Sequence, residues 1–357
     1  YLQAVSGESL LPTGVDKNVA VVYTPLNGTG ISCVPRCLRE NGFSNITIPK
    51  EQVEPNGNFP TCPYPNPEVK EALAVGLQCA KEVGAELLLA TDPDCDRVGA
   101  AVKNGSEYSL ISGNEMGVLL LDFVCQMRLQ NGTMPKRPLA IKTIVTTPLA
   151  AKVAAHYGVE IIDVLTGFKF IGEQIGLLEQ KGEVERYIFG FEESYGYLSG
   201  GFVRDKDAVN ASLLICEMFA WYKQQGKTLL DRLSELYADF GYYSNRLLNF
   251  EFAGAAGLER MKSIMQGLRQ YELREIGGCE IVKTRDYLIE EINEAVNLPK
   301  SDVLRYWLAG DCEVVVRPSG TEPKLKVYIT AVSEDRAASE ALADRLVAAV
   351  QDWFANE

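Results

Sequence analysis

The chain has 357 residues, 46% hydrophobic and 23% charged, and 48 acidic against 35 basic side chains give a formal net charge of −13. That is enough chain for two or three ordinary cores, and its negative field repels nucleic acid and acidic lipid, so an anionic ligand has to be held by a local cluster of donors. No apolar stretch approaches the roughly 18 residues of a membrane span, and nine scattered cysteines without a CxxC pair fit a reduced cytoplasm.

Nothing near Tyr1 reads as a signal peptide, and the chain opens on Tyr rather than Met, so residues 1–16 are expected to be a linker or remnant of a preceding domain. From there the pattern runs strand 19–23, glycine-rich turn, helix 31–40 and a polar Pro/Asn surface loop over 49–67. Helix 68–83, apolar strand 86–90, an acidic loop, strand 98–102 and helix 114–129 follow. Strands alternating with helices predict a mostly parallel sheet. The Gly/Pro segment 131–138 reads as a linker into a second series: strand 139–144, helix 148–156, strand 159–164, helix 170–180, strand 187–191 and helix 208–225. Beyond residue 241 the texture changes to strands at 246–252, 280–285, 313–317 and 324–331 with one helix between them and one at 334–354. The fold class expected is α/β, two similar mixed α/β sheet domains over 17–134 and 135–240, followed by a smaller α+β domain over 241–357.

Three loops carry chemistry. Asp92-Pro93-Asp94-Cys95-Asp96-Arg97 places three carboxylates at alternate positions directly after an apolar strand. Two such charges about 4 Å apart repel by roughly 4 kcal/mol at an effective dielectric near 20, a cost that calls for a cation or a proton. An all-oxygen set points to Mg²⁺. An EF-hand is excluded, because its sixth position should be Gly and is Arg97, and its twelfth should be Glu and is Lys103. A phosphatase of the aspartyl-phosphate type also puts acids after a strand, and a solvated acidic turn would read the same. The second loop, Glu192-Glu193-Ser194-Tyr195-Gly196, sets acceptors beside a hydroxyl, which suits the vicinal hydroxyls of a sugar but equally describes a solvated acidic turn. The third, Arg317-Pro318-Ser319-Gly320-Thr321-Glu322-Pro323-Lys324, offers a guanidinium fork, hydroxyls and exposed backbone amides to a phosphate. Its alternative is a proline-bracketed hairpin turn. The only histidine, His156, sits on a predicted apolar helix and reads as structural, and Cys33 and Cys37 lack the further ligands a zinc site needs.

Together these loops, in this order, make the sequence resemble the α-D-phosphohexomutases (phosphoglucomutases and phosphomannomutases), over about residues 17–357. Thr24-Pro25-Leu26-Asn27-Gly28-Thr29-Gly30 and Thr166-Gly167-Phe168-Lys169 resemble further family segments, with Asn27 standing where many relatives have His. The resemblance implies an isomerase that interconverts hexose 1-phosphate and hexose 6-phosphate through a hexose 1,6-bisphosphate and an enzyme phosphoserine. It implies Mg²⁺ on Asp92, Asp94 and Asp96, charge stabilisation by Arg97, and Lys206 as acid or base unless it is simply ion-paired. Sugar contacts are expected from Glu192 and Ser194, phosphate contacts from Arg317, Ser319, Gly320 and Thr321, and Thr166 and Gly167 are expected to shape the floor. The family's Thr-Ala-Ser-His-Asn-Pro-like loop has no counterpart, since these residues contain no Ser-His pair; the nucleophile domain is expected to be missing and the chain alone inactive. The Glu192-Glu193-Ser194 form leans toward glucose; mannose, a pentose, a bisphosphate synthase, or a sugar-phosphate-binding protein without catalysis are the alternatives.

Overall fold

The first strand, β1 (Val21–Thr24), and the third, β3 (Leu87–Thr91), bury every side chain, the pattern of strands covered on both faces. In the computed structural model, which describes residues 1–289, 298–319 and 323–355, β1 runs parallel to β2 (Ile46–Thr47) and to β3, while β4 (Val98–Asn104) and β5 (Glu107–Ile111) continue the sheet antiparallel in the order β2-β1-β3-β4-β5. The mostly parallel sheet expected here is therefore mixed. The acidic loop between β3 and β4 is too short for a crossover, so the chain must return as a hairpin. The expected helices over 31–40 and 68–83 each begin as a 3₁₀ turn, Thr29–Ser32 and Lys70–Leu73, before α2 (Val34–Glu40) and α3 (Ala74–Val83). The loop over 49–67 is only partly a surface loop: Gln52 is fully buried and accepts from the Thr24 hydroxyl at 2.7 Å.

A second sheet has the order β7-β6-β8-β9, from β6 (Leu139–Thr143), β7 (Glu160–Val164), β8 (Tyr187–Glu192) and the short β9 (Gly196–Leu198). Only β9 is antiparallel. Between its strands lie α5 (Leu149–His156) and α6 (Phe168–Gln180). Helix α4 (Gly113–Gln130) starts with a reciprocal capping box between Ser112 and Glu115. It packs on β8 and α5, whereas α7 (Ala208–Gln224), which follows the second sheet, packs on β3 and β4 of the first. Each sheet is thus covered by a helix from the neighbouring series. Helix α8 (Leu229–Phe240), not predicted from the sequence, is tied down by Arg232, whose Nε and Nη2 donate to the fully buried Asp122 at 2.8 and 2.7 Å. The start of the chain is ordered as well. Helix α1 (Leu2–Gly7) packs on α2 and α7, and the buried Glu217 accepts from the Ser9 hydroxyl and from the Leu10 amide. All of this except the end of α8 lies in one compact unit, Tyr1–Glu235.

The second unit, Leu236–Glu357, is built on the sheet β10-β15-β14-β13-β12-β11. The predicted strands are present as β10 (Tyr242–Glu251), β12 (Cys279–Asp286), β14 (Glu313–Pro318) and β15 (Lys324–Ser333). The short β11 (Glu275–Ile276) and β13 (Leu304–Leu308) are additional. Helices α9 (Gly254–Gln270) and α10 (Arg336–Ala355) bury Met261, Ile264, Met265, Leu346 and Val350 against Val314, Val316, Leu325 and Val327.

Candidate functional site: two acidic loops in contact

Strand β3 delivers Asp92 at its carboxyl end, where open α/β sheets commonly bind ligands, and the chain turns back at once into β4. The turn forces Cys95 into the left-handed region, φ 62°, a conformation that non-glycine residues seldom adopt and that here aims its neighbours together. One carboxylate oxygen from each of Asp92, Asp94 and Asp96 lies within 4.8 Å of the others. Two amides steady the cluster, those of Asp96 and Arg97, which donate to Asp92 Oδ1 at 3.1 and 2.9 Å. The Arg97 guanidinium reaches Glu68 at 3.1 Å and stands 3.8 Å from Asp92 and 3.6 Å from Asp96.

Burial pushes the Asp92 carboxyl up to about 7; the Arg97 amide opposes that shift and the charges of Asp96 and Asp94 add to it. Asp96 Oδ1 is buried without a hydrogen-bond partner. A converging all-oxygen set with a proton-seeking carboxyl and an orphaned buried oxygen fits a hard divalent ion.

The loop after β1 supports this cluster from below. Leu26 and Asn27 both have positive φ, Asn27 Nδ2 ties the turn to the carbonyls of Glu51 and Glu54 at 3.2 and 2.8 Å, and the Thr29 amide and hydroxyl donate to the Pro93 carbonyl at 2.8 and 3.0 Å. Gly28 lies so close to Pro93 that a Cβ could not be placed there. Beneath the loop the hydroxyls of Tyr23 and Thr91 bond at 2.9 Å.

The second sheet repeats the device. Strand β8 ends at Glu192, Tyr195 takes a left-handed φ of 66°, and the chain returns as β9. Glu192 is buried, its carboxyl is pushed up to about 7 by burial and then by Glu193, and its Oε1 has no partner while Ser194 donates to Oε2 at 3.3 Å. Glu193 instead turns to the hydroxyls of Thr143 and Thr146, each at 3.3 Å. The two loops touch: the Val98 amide donates to the Tyr195 carbonyl at 3.1 Å.

Lys206 joins the group, with Nζ 2.9 Å from Asp96 and 3.1 Å from Asp205. Burial alone would lower its pKa, but the hydrogen bonds and charges of Asp96 and Asp205 raise it overall, so it is held as an ammonium and is ion-paired. Its Nζ also stands 5.8 Å from the centre of the Phe168 ring. Just before that ring, Thr166 Oγ1 is buried without a partner and Gly167 has φ 117°.

The third loop lies in the second unit. Arg317 faces Lys326 and Pro318 faces Leu325 across the β14–β15 pair, and the Ser319 amide donates to the Lys324 carbonyl at 2.7 Å. Arg317 and Ser319 stand at the end of the hairpin; Gly320 and Thr321 lie outside the described residues. His156 sits exposed in the last turn of α5, edge-on to Tyr157. Among the described residues, Asp92, Asp94 and Asp96 are the group that could hold a metal ion.

Sequence reasoning passed over four residues that hold these loops: Tyr23, Glu68, Thr91 and Asp207. Only Asp207 had a local signal, a helix-capping residue directly before the apolar run of α7.

Three family models match the chain: phosphoglucomutase/phosphomannomutase alpha/beta/alpha domain II over residues 1–105, domain III over 112–240 and the C-terminal domain over 282–349. A phosphoglucomutase of Staphylococcus saprophyticus is 38% identical over 319 residues, which is 87% of this chain and 57% of that protein. One from Staphylococcus aureus is 36% identical over 321 residues, again 57% of its length. The chain therefore spans little more than half the length of these curated relatives. Among solved structures, the open form of the Paramecium phosphoglucomutase parafusin aligns with a TM-score of 0.69 at 17% identity, covering 99% of this chain and 60% of that one. A phosphoglucomutase/phosphomannomutase family protein from Burkholderia thailandensis aligns at 0.67 and 17%, covering 100% and 64%. At such identities the structural likeness speaks for the fold, and the sequence matches speak for the family: this chain belongs to the phosphoglucomutase/phosphomannomutase family.

Proposed function

We propose that these residues form the metal-, sugar- and phosphate-binding parts of a phosphohexomutase that interconverts hexose 1-phosphate and hexose 6-phosphate, with glucose as the hexose, through a bisphosphate intermediate. The observation that carries this reading is the joining of the Asp92 to Asp96 cluster to the Glu192 loop by the Val98 to Tyr195 bond. It sets a hard-cation site beside acceptors for sugar hydroxyls. The reacting serine of this scheme lies outside these 357 residues, which contain no Ser-His pair.

Asp92, Asp94 and Asp96 would hold Mg²⁺, which neutralises charge on a transferring phosphoryl group. Arg97, braced by Glu68, adds a fixed positive charge at the same place. Lys206 as an ammonium can give a proton to a leaving hydroxyl oxygen and needs the reverse transfer to restore itself. Glu192, with Oε1 unpartnered, and Ser194 accept and donate to sugar hydroxyls, and the Thr166 hydroxyl and Gly167 backbone line the floor. Arg317, Ser319, Gly320 and Thr321 would supply phosphate contacts from the second unit. Nine free thiols agree with a reducing cytoplasm as the location, and no helix among the described residues is long and apolar enough to cross a membrane.

The test joins this chain to a phosphoserine-bearing N-terminal domain of a family member and follows glucose 6-phosphate formed from glucose 1-phosphate with Mg²⁺ and a trace of glucose 1,6-bisphosphate. Turnover that disappears in Asp94→Asn is the expected result. Turnover that survives that substitution, or none with any hexose 1-phosphate, overturns the reading.

A further inference from the structure

We propose that Asp207, clamped by Tyr1, is a positioning residue for the acidic loop: it fixes the short segment that holds Asp96 and the Cys95 carbonyl in place. The proposal rests on the Mg²⁺ reading of that loop.

Three consecutive residues bridge the two sheets. Lys206 Nζ reaches Asp96 at 2.9 Å, the Asp207 amide donates to the Tyr197 carbonyl of β9 at 3.1 Å, and the Ala208 amide donates to the Cys95 carbonyl at 3.2 Å. Residues 206–208 therefore grip the acidic loop at two points and the second sheet at a third. Cys95 is the left-handed residue of that loop, a conformation that persists only where its surroundings over-determine it, and its carbonyl is one of the points held.

What holds 206–208 is Asp207 itself. Its side chain is buried, Oδ1 caps α7 by accepting from the Val209 and Asn210 amides at 2.9 and 3.0 Å, and the Tyr1 hydroxyl lies 2.7 Å from both carboxylate oxygens. Helix α1, which follows Tyr1, packs on α2 and α7, so the clamp comes from a chain segment ordered by its own packing. Removing the carboxylate would free the first turn of α7, and with it the Ala208 amide and the approach of Lys206 to Asp96. Ion affinity depends on such outer supports as well as on the ligands.

The experiment titrates Mg²⁺ by calorimetry into the full chain and into Asp207→Ala, Asp207→Asn and Tyr1→Phe, with a thermal melt of each. Asp207→Ala is expected to weaken Mg²⁺ by about tenfold, the scale for lost support behind a metal site. Asp207→Asn, an equally good helix cap of the same size, is expected to stay within about threefold of the parent. Tyr1→Phe should fall between them. Equal affinity in Asp207→Ala and the parent overturns the proposal, and so does a lowered melting temperature with unchanged affinity, which is what a merely structural cap would give. Should Asp207→Ala fail to fold, Tyr1→Phe decides, because it leaves the cap intact and removes only the clamp; unchanged affinity there overturns the proposal. A parent chain that takes up no Mg²⁺ defeats the metal reading itself, and this proposal with it.

Discussion

The Val98 amide donates to the Tyr195 carbonyl at 3.1 Å, and through that one bond the hairpin loop of the first sheet is fixed against the hairpin loop of the second. Both loops follow a fully buried strand, both return antiparallel, and both turn on a non-glycine residue in the left-handed region, Cys95 and Tyr195. The same backbone device thus presents three aspartates in one sheet and two glutamates with a serine in the other. The contact between the two turns holds the aspartate cluster and the Glu192 loop next to each other.

The first prediction concerns the ion. Asp94→Asn removes one of three converging charges, and Mg²⁺ binding measured by calorimetry is expected to weaken by about tenfold or more. Asn keeps the size and polarity of the side chain, so the melting temperature without Mg²⁺ should be unchanged or higher. Identical Mg²⁺ binding by the two proteins would remove the Asp92 to Asp96 loop as the metal site.

Stability should depend on pH through Glu192. Its carboxyl is raised from 4.5 to about 7 in the folded chain by burial, so the folded state holds the proton more tightly than the unfolded one does. The contribution is complete below about pH 4.5 and is lost as pH rises through about 7. A shift of this size corresponds to something on the order of 3 kcal/mol. Glu192→Gln cannot ionise, so in urea titrations it should exceed the parent in stability at pH 8, with the gap closing toward pH 5. A gap that does not change with pH would show that Glu192 is not buried as an acid.

Much of this arrangement can be read from the sequence, and the parts that cannot share a cause. The apolar run ending at Thr91 and the acids after it are local features, as is the run ending at Phe191, and both loops lie where the pattern places them. Strand β13 escapes because Arg305 interrupts its apolar run, and that buried guanidinium is paired with Glu313 on the next strand, which accepts from its Nε and Nη2 at 3.0 and 2.7 Å. Helix α8 escapes for a similar reason, being held through Arg232 to an aspartate 110 residues away. Tyr23, Thr91 and Glu68 act on the site only across strands or loops. Periodicity reports which face of an element is apolar, and it carries no information about polar pairs that burial brings together from distant segments.

Asp122 provides a test of such a pair. It is fully buried and satisfied by Arg232, by the Tyr157 hydroxyl at 2.8 Å and by the Tyr222 hydroxyl at 3.1 Å. Asp122→Ala leaves Arg232 with Glu235 at 2.9 Å as its remaining carboxylate and takes the acceptor from two hydroxyls, and a loss of about 3 kcal/mol is expected in denaturant titration, the lower end of the scale for removing one partner of a buried pair. The double variant Asp122→Leu with Arg232→Met should recover most of that loss. No recovery would mean that the hydroxyls, and not the guanidinium, bear the cost.

In the second unit, Arg317→Ala is expected to weaken binding of glucose 1-phosphate by about 2 kcal/mol, the scale of charge-assisted hydrogen bonds to a phosphate. Isothermal titration with the chain and its variant reads this directly. Arg317→Lys should recover only part of it, since an ammonium cannot reproduce the planar fork. Unchanged affinity in Arg317→Ala would make the residues from Arg317 to Lys324 an ordinary hairpin turn.

The last prediction is that these 357 residues by themselves give no mutase turnover. Phosphate-monoester chemistry is so slow without catalysis that enhancements of up to about 10²¹ are needed, and the proposed cycle requires an enzyme-bound phosphoryl group that leaves and returns. The loops described above are proposed to bind and orient; the hydroxyl among them that meets a carboxylate, Ser194 against Glu192 at 3.3 Å, is assigned to sugar contacts, and the 357 residues contain no Ser-His pair. That bond lies within the loop after β8, and the single histidine follows Ala155. Glucose 6-phosphate formation is therefore expected to stay at the buffer rate with the chain alone and to rise only when a phosphoserine-bearing domain is joined to it. Comparable rates with and without that domain would place the nucleophile within these residues and refute the division of labour proposed for them.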